Sequence, residues 1–153
     1  MTEVQPALVR VMLVDDHAVV REGYRRLLQA EGGIEVVAEH GDAESALAAM
    51  EPLARLAPLV VVLDLSMPGR GGLEVARRAL ARWPQVRILV FTMHDHPAMV
   101  AQALDAGVAG YITKTSAPQE LVAALRRVAE GETGVLSDDV RQASQASAAK
   151  PPH

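Results

Sequence analysis

Residues 59–63 form an unbroken apolar run, rich in β-branched side chains, that ends at a single carboxylate, Asp64. A strand that is apolar at every position, with no polar alternation, is typical of the middle of a parallel sheet, where helices cover both faces. Residues 67–72, which follow, are rich in proline and glycine. We therefore expect Asp64 at the carboxyl end of a central strand, the edge at which open α/β sheets bind ligands. At this point Asp64 is either a cap for the turn that follows or a residue with a chemical role.

Apolar runs alternate with helical patterns along most of the chain. The runs fall at residues 8–14, 34–39, 59–63, 86–92 and 109–113, and the helical patterns at 18–30, 42–56, 73–83, 97–106 and 118–130. Five strands alternating with five helices predict an α/β fold with a doubly wound, five-stranded parallel sheet, in one domain over residues 1–136. Right-handed crossovers place every strand-to-helix loop at one edge of that sheet.

Three local signals carry further structural predictions. Pro52 lies inside the second helical pattern, where its missing backbone donor predicts a kink or a restart. Residues 116–119 resemble a capping box that begins at Ser116, with proline in the first turn of the fifth helix. From Ser137 the content of Ser, Ala and Gln rises and apolar periodicity fades, so residues 137–153 are predicted to be a linker or a disordered tail.

The composition narrows the partners and the compartment. The formal net charge is −4, and this acidic balance argues against direct binding to nucleic acid. The absence of cysteine excludes disulfides and thiolate metal sites and fits a reducing compartment. Because no apolar run approaches the ~20 residues of a membrane span, we expect a cytoplasmic protein with no membrane partner.

Polar residues follow four of the five predicted strands. Asp15 and Asp16 come after the first strand, Asp64 after the third, Thr92 at the end of the fourth and Lys114 after the fifth. Since the carboxyl ends of parallel strands meet at one edge, we expect these side chains to share a pocket. Three carboxylates held together repel one another unless a cation joins them. Oxygen ligands of this kind suit Mg2+, for which Mn2+ could substitute.

The other two members of the pocket suggest a second ligand. Lys114 and Thr92, together with a metal, could neutralise a phosphoryl group, whose transfer depends on positioning and charge compensation. Asp64 is then the candidate nucleophile, because an aspartyl carboxylate can hold a phosphoryl group as an acyl phosphate.

Three alternatives stay open. A Mg2+-dependent phosphatase with an aspartyl nucleophile usually needs a second aspartate two residues further on, where this chain has Ser66. A nucleotide-binding fold needs a Gly-rich phosphate loop after the first strand, where an acidic pair stands instead. A transition-metal site could combine His17 with His94 and His96, although the polar loop that holds the last two residues disfavours it.

Six phrases of the sequence carry a resemblance to a known family: VMLVDDHAVVREGYRRLL, IEVVAEHGDAESAL, VVLDLSMPGRGGLEVAR, ILVFTMHD, ALDAGVAGYITK and LVAALRRVAEGE. They present an acidic pair, an acceptor, a hydroxyl, an aromatic residue and a lysine in the family's order and spacing. Over about residues 9–132 the chain resembles the receiver domain of two-component response regulators, most closely the NarL/FixJ class with a LuxR-type helix-turn-helix output. The resemblance implies a flavodoxin-like, CheY-like fold and a phosphoacceptor signalling domain rather than an enzyme.

The resemblance also implies a role for each residue of the acidic pocket. Asp64 would accept a phosphoryl group from a sensor histidine kinase. Asp16, Asp64 and the backbone carbonyl of Ser66 would hold Mg2+ directly, and Asp15 would act largely through a bound water.

Beyond the metal, the resemblance assigns a switch. Lys114 would pair with one phosphoryl oxygen and Thr92 would hydrogen-bond another, and the movement of Thr92 would let Tyr111 turn inward. The signal would reach the face formed by the fourth helix, fifth strand and fifth helix. That face, or one formed by the first and fifth helices, would be the surface of a homodimer.

Two departures from the family pattern matter. Thr115 follows Lys114 where many receivers carry a cis proline, so the loop there must take its shape without that constraint. The DNA-binding output domain of the class is expected to be absent, because residues 137–153 are too few to form it. Phosphorylation of Asp64 would then control an output domain outside this sequence, or the receiver would act alone through protein contacts.

Overall fold

The computed structural model describes residues 8–67 and 71–149. The proline and first glycine of the predicted loop, the N-terminal seven residues and the last four residues of the predicted tail lie outside these ranges. Strands and helices alternate in the order β1 (Val9–Val14), α1 (Ala18–Ala30), β2 (Ile34–His40), α2 (Ala43–Leu56), β3 (Val60–Leu63), α3 (Gly72–Arg82), β4 (Arg87–Thr92), α4 (Pro97–Ala106), β5 (Gly110–Thr113), α5 (Pro118–Ala129), β6 (Val135–Leu136) and α6 (Asp138–Ala149).

All strand pairs are parallel, in the order β2-β1-β3-β4-β5-β6. The apolar run before Asp64 forms β3, which pairs with β1 on one side and β4 on the other. The predicted doubly wound parallel fold is confirmed, with one strand more than the five expected. The additional strand, β6, has two residues, which is too short for periodicity in the sequence to reveal.

Helices cover both faces of the sheet. On one face, Val61 and Leu63 of β3 are buried among residues of α2, α3 and α4. On the other face, Val60 and Val62 are buried among residues of α1 and α5. The uninterrupted apolar sequence of β3 therefore follows from burial on both sides.

Arginines at the amino-terminal ends of two strands bind the ends of neighbouring helices. Arg10 Nη1 donates to two backbone carbonyls at the end of α2, at 3.1 and 2.9 Å. Arg87 Nη1 donates to the carbonyls of Val128 and Ala129 in the last turn of α5, at 2.8 and 2.7 Å. These carbonyls lie in the last turns of their helices or at the cap that follows, so an arginine at this position gives them a charged donor and complements the helix dipole.

Two predictions from local signals need correction. Helix α2 runs unbroken over Ala43–Leu56, so the predicted restart at Pro52 is wrong, while the predicted kink stays a prediction. Helix α5 begins at Pro118 with Ala117 as its N-cap and no side-chain capping bond, so the predicted capping box does not form. The Ser116 hydroxyl lies instead 3.2 Å from the hydroxyl of Thr113, three residues earlier, and this neighbour competes with the cap.

The predicted linker from residue 137 contains α6, which packs against α4 and β5. Val140 is fully buried in the same cluster as α4 residues and anchors the helix. A single apolar anchor makes no periodic stripe, which explains why the sequence pattern suggested a tail. Within the described ranges, no helix is long and apolar enough to cross a membrane.

Candidate functional site

The carboxyl ends of β1, β3 and β5 bring three of the predicted residues into direct contact. Lys114 Nζ lies 2.5 Å from Asp15 Oδ2 and 3.1 Å from Asp64 Oδ2. Asp64 is 2 % exposed and Asp15 is 7 % exposed, so the ion pairs are largely shielded from water. Side chains separated by 50 and 99 positions in the sequence meet here because parallel strands end at one edge.

The two carboxylate oxygens of Asp64 have different partners. Oδ1 accepts hydrogen bonds from the Ser66 backbone N–H at 3.0 Å and from the Ser66 hydroxyl at 2.7 Å. Oδ2 faces Lys114. One oxygen therefore stabilises the turn, as the first interpretation predicts, and the chemical role of Asp64 stays a prediction.

Burial and contacts act in opposite directions on the charges of this pair. Burial raises the pKa of Asp64, but the Ser66 hydrogen bonds and the Lys114 charge outweigh it and hold the pKa below its usual value. Burial likewise lowers the pKa of Lys114, and the Asp15 and Asp64 carboxylates outweigh it, so that the pKa is raised. Both groups are therefore ionised at neutral pH, as a nucleophile and a phosphate-binding cation require.

The acidic pair after β1 is held by the turn into α1. Asp15 Oδ1 accepts the backbone N–H of His17 at 2.8 Å. His17 Nδ1 lies 3.1 Å from Asp16 Oδ1 without a hydrogen-bond geometry, and this buried oxygen has no hydrogen-bond partner among the described residues. A buried carboxylate oxygen without a hydrogen bond costs free energy unless a cation binds it.

A metal ion fits this arrangement. One ligand atom each of Asp15, Asp16, His17 and Asp64 lies within 4.8 Å of the other three. Three carboxylates with one orphaned oxygen match the hard oxygen ligands of Mg2+. Within the part of the chain that the structure describes, His94 and His96 do not join this cluster, so the structure does not assemble the three-histidine alternative.

Thr92 and Tyr111 occupy the next two strands. Thr92 is fully buried, and its hydroxyl has no hydrogen-bond partner among the described residues. Tyr111 is also fully buried, and its hydroxyl donates to the backbone carbonyl of His94 at 2.6 Å. Burial, with the charges of Asp95 and Asp64, raises the pKa of Tyr111 to about 12.

Arg21 is a site residue that the sequence analysis missed. Its guanidinium donates to the backbone carbonyl of Asp15, and its Nε lies 3.3 Å from a carboxylate oxygen of Glu39. Gly41 leaves room for it, since a Cβ there would lie 3.2 Å from the guanidinium. The sequence signal was its position one turn into the helix that starts at the acidic pair.

Gly72 permits the close approach of α3 to the end of β3. A Cβ at this position would lie 2.6 Å from the Asp64 carbonyl oxygen and 2.7 Å from the Leu65 Cα. Such distances are shorter than side chains tolerate, so a glycine is required where the helix crosses the backbone of Asp64.

Comparison with known proteins places this geometry in context. A family profile described as "Response regulator receiver domain" matches residues 11–126. The response regulator UvrY of Escherichia coli strain K12 is 41% identical over 135 residues, which cover 88% of this chain and 61% of UvrY. The chain thus spans less than two thirds of the length of that relative.

Two solved structures are similar over most of the chain. The crystal structure of a LuxR-family two-component response regulator from Aurantimonas sp. SI85-9A1 has a TM-score of 0.87 and 41% identity, covering 94% of this chain and 100% of that one. The signal receiver domain of the putative response regulator NarL from Mycobacterium tuberculosis has a TM-score of 0.75 and 36% identity, covering 83% of this chain and 100% of that one.

Proposed function

Because the chain belongs to the response regulator receiver domain family, in its NarL/FixJ class, we propose that Asp64 accepts a phosphoryl group from a sensor histidine kinase. The observation that supports the proposal best is the pairing of a buried, ionised Asp64 carboxylate with Lys114 at 3.1 Å, beside the orphaned oxygen of Asp16. A nucleophile, a cation and an incomplete metal site then lie at one sheet edge.

The proposed step is an in-line phosphoryl transfer. An Asp64 carboxylate oxygen attacks the phosphorus of a phosphohistidine, the nitrogen–phosphorus bond breaks, and the histidine nitrogen keeps the electron pair. Asp16, Asp64 and the Ser66 carbonyl would hold Mg2+ directly, with Asp15 acting through water. When bound, the ion supplies charge compensation for the phosphoryl oxygens.

The remaining residues act on the phosphorylated state. The Lys114 ammonium leaves the Asp64 oxygen to pair with a phosphoryl oxygen, which has the greater negative charge. The Thr92 hydroxyl, buried without a partner, donates to a second phosphoryl oxygen. The movement of Thr92 then acts on Tyr111, whose ring lies inside the domain with its hydroxyl bound to the His94 carbonyl.

The output of the switch is proposed by analogy with the class. Phosphorylation would control a DNA-binding transcriptional output domain or a homodimer contact, through the α4, β5 and α5 face or the α1 and α5 face. The phosphatase alternative lacks support at Ser66, because its hydroxyl donates to Asp64 and is not a carboxylic acid that could protonate a leaving group.

The experiment is incubation of the protein with Mg2+ and acetyl phosphate, followed by intact-mass measurement. We expect a labile adduct of one phosphoryl group that Asp64→Asn abolishes. Asp105→Asn, which changes an exposed aspartate of α4 in the same way, is the control and should keep the adduct. An adduct that persists in Asp64→Asn, or steady turnover of many phosphoesters, would contradict the proposal.

A further inference from the structure

The two residues that flank Lys114 are bound to the start of α6. The Thr113 hydroxyl donates to Asp139 Oδ2, and the Thr115 hydroxyl donates to the same oxygen at 3.3 Å. Both threonine hydroxyls also lie within 3.0 Å of each other. Asp139 therefore holds the side chains on either side of the lysine that contacts Asp64.

Ser137 makes the attachment continuous with the sheet. Its backbone N–H donates to the Tyr111 carbonyl at 3.2 Å, and its hydroxyl accepts the Thr113 N–H at 3.3 Å. The same hydroxyl donates to Asp139 Oδ1 at 2.6 Å. Thr113 and Ser137 are both at most 3 % exposed, so these hydrogen bonds are shielded from competing water.

An apolar contact adds to the polar one. Val140, the next residue of α6, is fully buried in the cluster that contains Tyr111 of β5 and Val100 of α4. The first turn of α6 is thus attached by a carboxylate on the loop side and by a valine on the core side. A segment attached at two points cannot shift without moving the end of β5.

We propose that Asp139 is a positioning residue for Lys114, and that it couples the docking of α6 to the state of the phosphoryl site. The inference rests on the proposed function, because it assigns Lys114 to the phosphoryl group. The coupling is reciprocal: if α6 docking holds Lys114 in place, a phosphoryl group that draws Lys114 away from Asp15 and Asp64 loosens α6 by the same free energy.

Asp139 would influence phosphorylation through the position of Lys114 rather than through its own charge at the reacting atoms. Without Asp139, the buried Thr113 hydroxyl loses its charged acceptor, and the Thr115 hydroxyl loses its contact with α6. Because transfer depends on sub-ångström positioning, we expect Asp139→Ala to slow phosphorylation by acetyl phosphate about 10-fold or more. The rates are compared at saturating Mg2+, because Lys114 also contacts Asp15 and Asp64, two of the proposed metal ligands.

The experiment compares Asp139→Ala with Asp138→Ala in the full chain. Asp138 is the neighbouring carboxylate on the same helix turn, and its side chain is 77 % exposed. Its side chain forms an ion pair with Arg141 of the same helix. At saturating Mg2+ we expect slowed phosphorylation in Asp139→Ala, partial rescue in Asp139→Glu, and wild-type behaviour in Asp138→Ala. An unchanged rate in Asp139→Ala would overturn the inference.

A second comparison tests whether Asp139 acts through the lysine. In a Lys114→Met background, Asp139→Ala should cause no further loss of rate, because the residue it positions is gone. If the two losses add fully, Asp139 acts elsewhere and the inference fails. If Asp139→Ala does not fold, Thr115→Val takes its place, because it removes the exposed hydrogen bond to Asp139. This variant should slow phosphorylation by a smaller factor. An unchanged rate in Thr115→Val would also contradict the inference.

Failure of this inference and failure of the proposed function give different results. If wild-type protein gains no adduct on Asp64, the proposed function itself fails. If wild type is phosphorylated on Asp64 and Asp139→Ala matches it, the proposed function stands and only the role of Asp139 is wrong. Hydrogen exchange of residues 138–143 gives the reciprocal readout, and we expect faster exchange after addition of beryllofluoride with Mg2+.

Discussion

At the scale of single residues, Asp64 shows how one carboxylate serves structure and chemistry together. The hydrogen bonds from Ser66 occupy Oδ1 and fix the carboxylate plane, while Oδ2 faces the ammonium of Lys114. Burial alone would favour the neutral acid, yet the pKa stays below its usual value. The carboxylate that we propose as the nucleophile is therefore already ionised and oriented, which would lower the cost of reorganisation.

Tyr111 carries a pH prediction. Its pKa is raised from 10.0 to about 12 because the fold buries the neutral phenol. A folded-state pKa above the unfolded one means that the contribution to stability is complete below pH 10 and is lost as the pH rises through 12. At about 1.4 kcal/mol per pKa unit, we expect the free energy of unfolding to fall by about 2–3 kcal/mol over that range.

Urea denaturation at a series of pH values measures this loss. Tyr111→Phe has no phenol to ionise and should lose that much less stability between pH 10 and 12 than the wild type. Tyr24→Phe makes the same substitution on α1. This variant should lose as much free energy of unfolding between pH 10 and 12 as the wild type. Parallel profiles for wild type and Tyr111→Phe would show that the buried phenol is not the source.

At the scale of secondary-structure elements, the sequence predicts those parts whose signal is local. The apolar run of β3 and the polar residues at the strand ends predict the sheet and the proximity of Asp15, Asp64 and Lys114, whose side chains are in contact. Each of these predictions needed only periodicity and the rule that parallel strands end at one edge.

The elements at the carboxyl side were missed for a physical reason. β6 has two residues and α6 is attached by Val140 and by Asp139, whose partners lie 24 to 26 positions earlier in the chain. Contacts of this range leave no periodic pattern within the segment itself. The capping prediction at Ser116 failed for a different reason, because a neighbouring hydroxyl, that of Thr113 three residues earlier, is the partner of the Ser116 hydroxyl.

The contact between Arg87 and the end of α5 leads to a prediction about stability. Arg87 binds two carbonyls of the last turn of α5, so Arg87→Met should leave them without a charged donor. We expect a loss of roughly 1–2 kcal/mol in the free energy of unfolding, measured by urea denaturation. Arg78→Met removes the same charge from an exposed pair with Glu74 on α3 and should change stability by less than about 0.5 kcal/mol. Equal losses would mean that net charge, not the helix end, is responsible.

At the scale of the whole molecule, a bound cation should shift the folding equilibrium. The acidic cluster exists only in the folded state, so Mg2+ that binds it stabilises the fold by mass action, by about 2.7 kcal/mol at 100 times Kd. We expect the melting temperature to rise with Mg2+ concentration at constant ionic strength, and Asp16→Ala to remove most of that rise.

Each protein in this experiment is compared with itself in the presence and absence of Mg2+. This matters because removal of one carboxylate also relieves repulsion within the cluster and can raise the metal-free melting temperature. Asp105→Ala serves as the variant with an equal charge change outside the cluster. A full Mg2+-dependent rise in Asp16→Ala would mean that the ion binds elsewhere.

The short strand β6 has a consequence for solubility. Its partner β5 is buried along all four residues, and β6 pairs with the first two of them, Gly110 and Tyr111. A sheet edge with unpaired backbone groups and apolar side chains is a template for association with another chain. β6 covers the first half of that edge, so it pairs backbone groups of β5 that another chain could otherwise bind. Any change that detaches α6 therefore threatens aggregation as well as the geometry of the site.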